Sequence, residues 1–267
     1  MLKDNKLLNP IISALAAVYG LGAMFLATLP LKSEGFVLSE NNLSLLIELI
    51  VAAFTLLICC KVFPKVFSNC KNYEIKLPSL SKIFAILLIM PFIAIIKYDL
   101  IYNIVINESN SYIAEPFITS NIYEDLIESI SAIFLAPVIE ELSFRYMAIT
   151  PYKSKSARII VLILISLFFG IVHVRNFIAA TFDAIIYGIV LLYTKNIGYS
   201  ILCHSFTNLS SLIFGLIATY SAADIKYIKN PMIIVFPNNI QIVFGLMAIA
   251  GFIVLFLNKN KKKMPEI

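Results

Sequence analysis

Residues 136–145 read Ala136-Pro-Val-Ile-Glu-Glu-Leu-Ser-Phe-Arg145. Two adjacent carboxylates and an arginine stand in a run that is otherwise apolar, with Ile133, Phe134 and Leu135 before them and Met147, Ala148 and Ile149 after them. On a helix, Glu141 and Arg145 are four residues apart and share a face, which lets them pair. Glu140 is rotated by about 100° from Glu141 and points elsewhere. An ionisable side chain at membrane depth costs roughly 3 kcal/mol or more, so such residues usually line an interior and carry function. A structural ion pair accounts for Glu141 and Arg145. It leaves Glu140 unexplained.

The surrounding composition makes membrane depth the relevant setting. The chain is 60% hydrophobic and only 14% charged, against about 25% charged in ordinary soluble domains. The apolar residues come in blocks of roughly 17 or more, long enough to span hydrocarbon. The expected fold is therefore all-α, a polytopic bundle of about eight transmembrane helices. Its partner is the lipid bilayer, and the net charge of +5 is no argument for nucleic acid. The cysteines Cys59, Cys60, Cys70 and Cys203 form no C-x-x-C pair and read as small hydrophobes rather than a disulfide or metal set.

The eight segments begin near Leu8, Leu43, Ile83, Ile122, Ile159, Phe177, Tyr199 and Ile240. The first, about Leu8–Leu29, exceeds a signal-peptide core and reads as a retained helix. The third contains Pro91, a candidate kink. The fourth carries the Glu-Glu run behind an acidic start, Glu124, Asp125 and Glu128, which suits a helix N-terminus. Glu48 reads as interfacial. Of the 21 Lys and Arg, an N-in topology places fifteen on inner segments, five outside (Lys32, Lys97, Arg175, Lys226, Lys229) and Arg145 within a span. That bias puts both termini in the cytoplasm. The Lys-rich tail at residues 259–263 reads as a topology determinant. We divide the chain into accessory helices at 1–120, a four-helix core at 121–220 that carries the polar motifs, and a closing loop, helix and tail at 221–267.

The chain has two histidines, and each opens or closes a four-residue spacing on a later apolar segment. The stretches are Phe169-Gly-Ile-Val-His173 and His204-Ser-Phe-Thr-Asn208. Together with Glu140-Glu141-x-x-x-Arg145, these motifs, in this order on three separate segments, resemble the CAAX protease and bacteriocin-processing family of intramembrane proteases. The resemblance runs from about Tyr123 to Leu216. It implies an endopeptidase that acts on membrane-associated peptides or protein tails. In bacteria it implies peptide maturation, bacteriocin processing or immunity. A bacterial plasma membrane is the expected location.

The residue types fit that chemistry. Peptide hydrolysis needs an activated water, a proton for the leaving amine and donors for the oxyanion. Glu140 is the candidate base, and His173 can orient the water. His204 and Asn208 can donate to the oxyanion, and Arg145 can hold Glu141. Asp183 is a weaker candidate for orienting His173. No cofactor is required in this reading. The alternative is a zinc site on Glu140, His173 and His204 with water in the fourth position. A non-catalytic immunity or regulatory protein of the same fold is a further alternative. A transporter would be expected to show internal repeats, and none is visible.

Overall fold

The computed structural model describes residues 8–28, 40–101, 129–173, 177–223 and 238–261. The acidic residues Glu124, Asp125 and Glu128, and the cations Lys32, Arg175, Lys226 and Lys229, lie outside them. Among the described residues the architecture is helical, with one isolated bridge between Glu74 and Asn196 in place of any sheet. Among the described residues eight longer helical stretches follow one another, with a short 3-10 helix at Ser68–Asn72. They are α1 (Leu8–Thr28), α2 (Glu40–Leu57, continued by Ile58–Val62 and Phe63–Val66), α3 (Leu80–Ile101) and α4, which joins Ser131–Leu135, Ala136–Glu140 and Glu141–Met147. After these come α5 (Lys155–Val172), α6 (Phe177–Thr194), α7 (Ile197–Ala223) and α8 (Asn238–Lys261). Three stretches are apolar and long enough to cross a membrane: Leu45–Val66, Lys155–Val172 and Phe177–Thr194. This is a helical membrane protein.

The distribution of side chains is that of a bundle immersed in hydrocarbon. Leu15, Val18, Leu164, Ile171 and Leu246 point outward from their helices, whereas Glu141, Arg145, Thr55 and Ser200 have no exposed surface. Exposed apolar side chains cost nothing against lipid tails. Polar groups must find partners inside. Glu48 follows this rule. It lies in the first half of α2, is buried, and accepts a hydrogen bond from Ser131 of α4. Its place near the start of an apolar run did not say which face of the helix it occupies.

The chain divides into two compact units. The first takes residues 1–77 and 126–205, and the second takes 78–125 and 206–267. In the second unit α3 and α8 pack along each other. A Cβ at Gly251 would meet the Ala85 carbonyl at 2.7 Å, so only glycine permits that approach. Pro91 lies inside α3.

In the first unit α4 is the axis. Ala16, Ala17 and Gly20 give α1 a small-residue face toward it, and a Cβ at Gly20 would stand 2.9 Å from the Phe144 ring. Small residues let membrane helices approach closely where no hydrophobic force drives them together. Ser13 of α1 donates to the Ala148 carbonyl at 2.7 Å. Asn69 donates to the carbonyls of Thr150 and Tyr152 at 2.7 and 2.6 Å, so the end of α4 does not leave its acceptors bare. The start of α7 is equally determined. Asn196 caps it by accepting from Gly198 N at 3.0 Å, and the Glu74 backbone bonds to Lys195 and Ile197 on either side.

α5 and α6 form an antiparallel hairpin whose contact depends on two glycines. A Cβ at Gly170 would lie 1.9 Å from Thr181 Oγ1 and 2.7 Å from the Phe177 carbonyl, and one at Gly188 would lie 2.0 Å from Leu162 Cδ1. Gly170→Ala is therefore expected to lower the melting temperature in detergent. Overpacking costs about 1–3 kcal/mol, and against it stands a helix-propensity gain of about 1 kcal/mol. A Cβ added at Gly22 would meet nothing within 4 Å, so Gly22→Ala should be neutral or stabilising. A Gly170→Ala protein as stable as Gly22→Ala would show that the hairpin opens without cost.

Candidate active site

The site is built on α4, whose turns are not uniform. Ser131–Leu135 and Glu141–Met147 are π-helical, and the five residues between them are α-helical. Pro137 lacks an N–H to donate backward and crowds the carbonyl before it. A wider turn just upstream accommodates both effects. The second π stretch begins at Glu141 itself. Widened turns of this kind are frequent at functional positions. Here they leave Glu140 and Glu141 adjacent in sequence but in different surroundings.

Glu141 is fully buried and fully engaged. Arg145 Nη1 lies 3.2 Å from its Oε1, the pairing that the four-residue spacing leads one to expect. The same oxygen accepts from His204 Nδ1 at 2.9 Å, and Oε2 accepts from Ser200 Oγ at 2.6 Å. A carboxylate held by a cation is an acceptor only, so the proton in the His204 contact sits on Nδ1. The remaining ring nitrogen, Nε2, faces the other glutamate at 3.6 Å from Glu140 Oε2. That oxygen is buried and has no hydrogen-bond partner among the described residues. His204 thus stands between the two carboxylates, committed to one and facing the other.

Arg145 is the largest fully buried side chain among the described residues. Besides Glu141 it is held by aromatic faces. Its Cζ lies 4.3 Å from the centroid of the Phe169 ring and 5.7 Å from that of Tyr187. A desolvated cation over such a ring gains about 2 kcal/mol. Phe169 is a shared wall. The His173 ring lies 4.2 Å from it, Phe144 meets it edge-on at 5.4 Å, and the His204 ring stands edge-on at 6.1 Å. Tyr187 covers another side by stacking on His204 at 4.8 Å and 21°.

His173 ends α5, and its Nδ1 donates to the Phe169 carbonyl at 2.8 Å. This leaves Nε2 as the acceptor in the neutral ring. The residue is within electrostatic reach of Glu140. Asp183 is buried on α6. The structure thus brings Glu140, Glu141, Arg145 and His204 into direct contact and places His173 against the Phe169 ring that also supports Arg145. Asn208 lies one helical turn beyond His204 on α7, in the part of that helix that belongs to the second unit. Ser200 and Tyr187 were not singled out in the sequence. The spacing of Ser200, four residues before His204 on an apolar helix, is the signal that could have marked it.

Among the described residues no three His, Cys, Asp or Glu side chains are grouped so as to hold a metal.

No curated protein and no solved structure matches the chain. Residues 123–210, the stretch that contains Glu140, Glu141, Arg145, His173, His204 and Asn208, match the family model of the type II CAAX prenyl endopeptidase Rce1-like proteins.

Proposed function

We propose that this protein is an intramembrane endopeptidase that hydrolyses membrane-associated peptides or protein tails with a glutamate-activated water. The observation that carries the reading is the division of labour between neighbouring carboxylates. Glu141 accepts from Ser200 and His204 and is ion-paired with Arg145, while Glu140 Oε2 is buried, has no hydrogen-bond partner among the described residues, and lies 3.6 Å from His204 Nε2. A carboxylate that is not tied up by donors is free to accept a proton from water.

The steps follow from the donor and acceptor inventory. Glu140 takes one proton of the water as the water oxygen adds to the peptide carbonyl carbon. His173 Nε2 accepts a hydrogen bond that orients this water. The carbonyl electron pair moves onto oxygen, where donors are needed. His204 can supply one through Nε2 only when that nitrogen also carries a proton, because Nδ1 is already committed to Glu141. Asn208 is the second donor that the motif implies. Glu140 then passes its proton to the leaving nitrogen, the C–N bond breaks, and a new carboxyl and a new amine are released. In a bacterial plasma membrane such an activity would mature or inactivate peptides at the bilayer.

Purified full-length protein in liposomes, given membrane-tethered peptides, is expected to generate new termini detectable by mass spectrometry. Asn208→Ala should lower turnover by roughly 10²-fold, as loss of one oxyanion donor does elsewhere. Full activity in that variant would remove Asn208 from the mechanism. The Lys distribution further places residues 65 and 155 in the cytoplasm and residue 226 outside. Single cysteines at these positions, in a background without Cys59, Cys60, Cys70 and Cys203, should be labelled from those sides. Labelling of position 226 from the cytoplasm alone would invert the topology.

A further inference from the structure

We propose that Ser200 is a positioning residue of this site: its hydroxyl fixes the Glu141 carboxylate, and Glu141 in turn fixes the His204 ring toward Glu140. The kinetic part of this proposal rests on the peptidase reading. The geometric part does not.

The two oxygens of Glu141 are used unequally. Oε1 serves both Arg145 and His204, at 3.2 and 2.9 Å. Oε2 receives Ser200 Oγ at 2.6 Å. The rotation of a carboxylate about its last torsion is soft, so an ion pair and one donor on the same oxygen leave the group free to swing about that contact. A donor on the second oxygen stops the swing. Ser200 also lies 2.9 Å from the Tyr187 carbonyl. It has a single proton to give, and a charged acceptor draws it more strongly than a neutral one. The Tyr187 carbonyl bounds the hydroxyl on one side while the Tyr187 ring stacks on His204. Ser200 itself has no exposed surface, so water is not at hand to substitute for it.

Helix geometry adds the reason for this spacing. Ser200 and His204 are one turn apart on α7 and present their polar atoms to the same carboxylate, one to each oxygen. The pair grips Glu141 at two points, and the ring direction of His204 is set by that grip. The consequence is that Nδ1 holds a proton permanently and Nε2 is the nitrogen that faces Glu140. Removing the Ser200 hydroxyl should let Glu141 turn, loosen the Nδ1–H bond and allow the proton to distribute between the two ring nitrogens.

The chain has two histidines, so nitrogen-15 labelling of histidine gives a spectrum that can be assigned with a His173→Gln protein. In that protein His204 is expected to show a protonated Nδ1, and adding Ser200→Ala should reduce its protonation. In the His173 parent, Ser200→Ala is expected to lower turnover roughly 10- to 100-fold at unchanged KM, the range typical of losing a group that orients a reactive side chain. Ser200→Thr keeps the hydroxyl and should keep the parent spectrum. Should Ser200→Ala fail to accumulate, Ser200→Cys replaces the hydroxyl with a weak donor and carries the same expectation. An unprotonated Nδ1 in the Ser200 parent, or an Nδ1 signal unchanged by loss of the hydroxyl, would overturn the proposal. If the purified protein cleaves nothing, the peptidase reading fails, and the spectrum still decides the role of Ser200.

Discussion

Glu140→Gln is expected to abolish peptide cleavage, with turnover falling by roughly 10²- to 10⁴-fold, the contribution of a positioned general base. The protein should stay folded. Glu140 is buried, yet its Oε2 has no hydrogen-bond partner among the described residues. A buried carboxylate with one oxygen lacking a donor is a poor stabiliser, because burial disfavours its charge and that oxygen gains no hydrogen bond to offset it. The amide of Gln keeps the size, removes the proton acceptor, and carries no charge to desolvate. Melting temperature should therefore be unchanged or slightly raised, the pattern expected where a site is held at the expense of stability. Residual cleavage near the parent level would move the base elsewhere.

Glu141→Gln should have the opposite signature, a loss of stability of about 3–5 kcal/mol along with loss of activity. Arg145 is fully buried and is paired with Glu141 at 3.2 Å. Its aromatic neighbours, Phe169 and Tyr187, soften the cost of burial but do not neutralise its charge. Removing the carboxylate strands a cation at membrane depth. The Gln amide also turns an NH₂ toward donors, since Ser200, His204 and Arg145 all present N–H or O–H groups to this point. Protein level and thermal melting in detergent would be measured beside Glu140→Gln. A Glu141→Gln protein that is well folded but inactive, paired with a Glu140→Gln protein that still cleaves, would reverse the two roles. Loss of neither activity nor the cellular phenotype in either variant would favour a binding scaffold.

Much of this contrast was legible in the sequence. The four-residue spacing of Glu141 and Arg145 reports a shared helix face directly, and the pairing follows from geometry alone. Among the described residues the apolar blocks marked the helices to within a few residues of their ends, the start of the fourth segment at Ile122 lying outside those residues. What the sequence did not carry was depth and direction. Counted at 1.5 Å per residue from the cytoplasmic segment ends, Glu140 lies roughly 15 Å deep and His204 about 10 Å, yet the two side chains meet at 3.6 Å. Segment ends are not membrane surfaces, and tilt is set by packing that no single span reveals. The grip on Glu141 was also hidden. The four-residue spacing to His204 marks Ser200 as sharing a helix face with it, but the hydrogen bond that gives Ser200 its meaning joins residues 59 positions apart. The burial of Glu48 was hidden for a related reason: its partner, Ser131, is on another helix.

The most direct test of the central claim is product analysis by mass spectrometry with the purified full-length chain in liposomes. Membrane-tethered peptides would be supplied in heavy-oxygen water, with the parent and Glu140→Gln proteins at matched, verified folding. The glutamate-water reading predicts that the parent creates new C-termini carrying the heavy label and that Glu140→Gln creates none above background. Labelled products in equal amount from both proteins would contradict it.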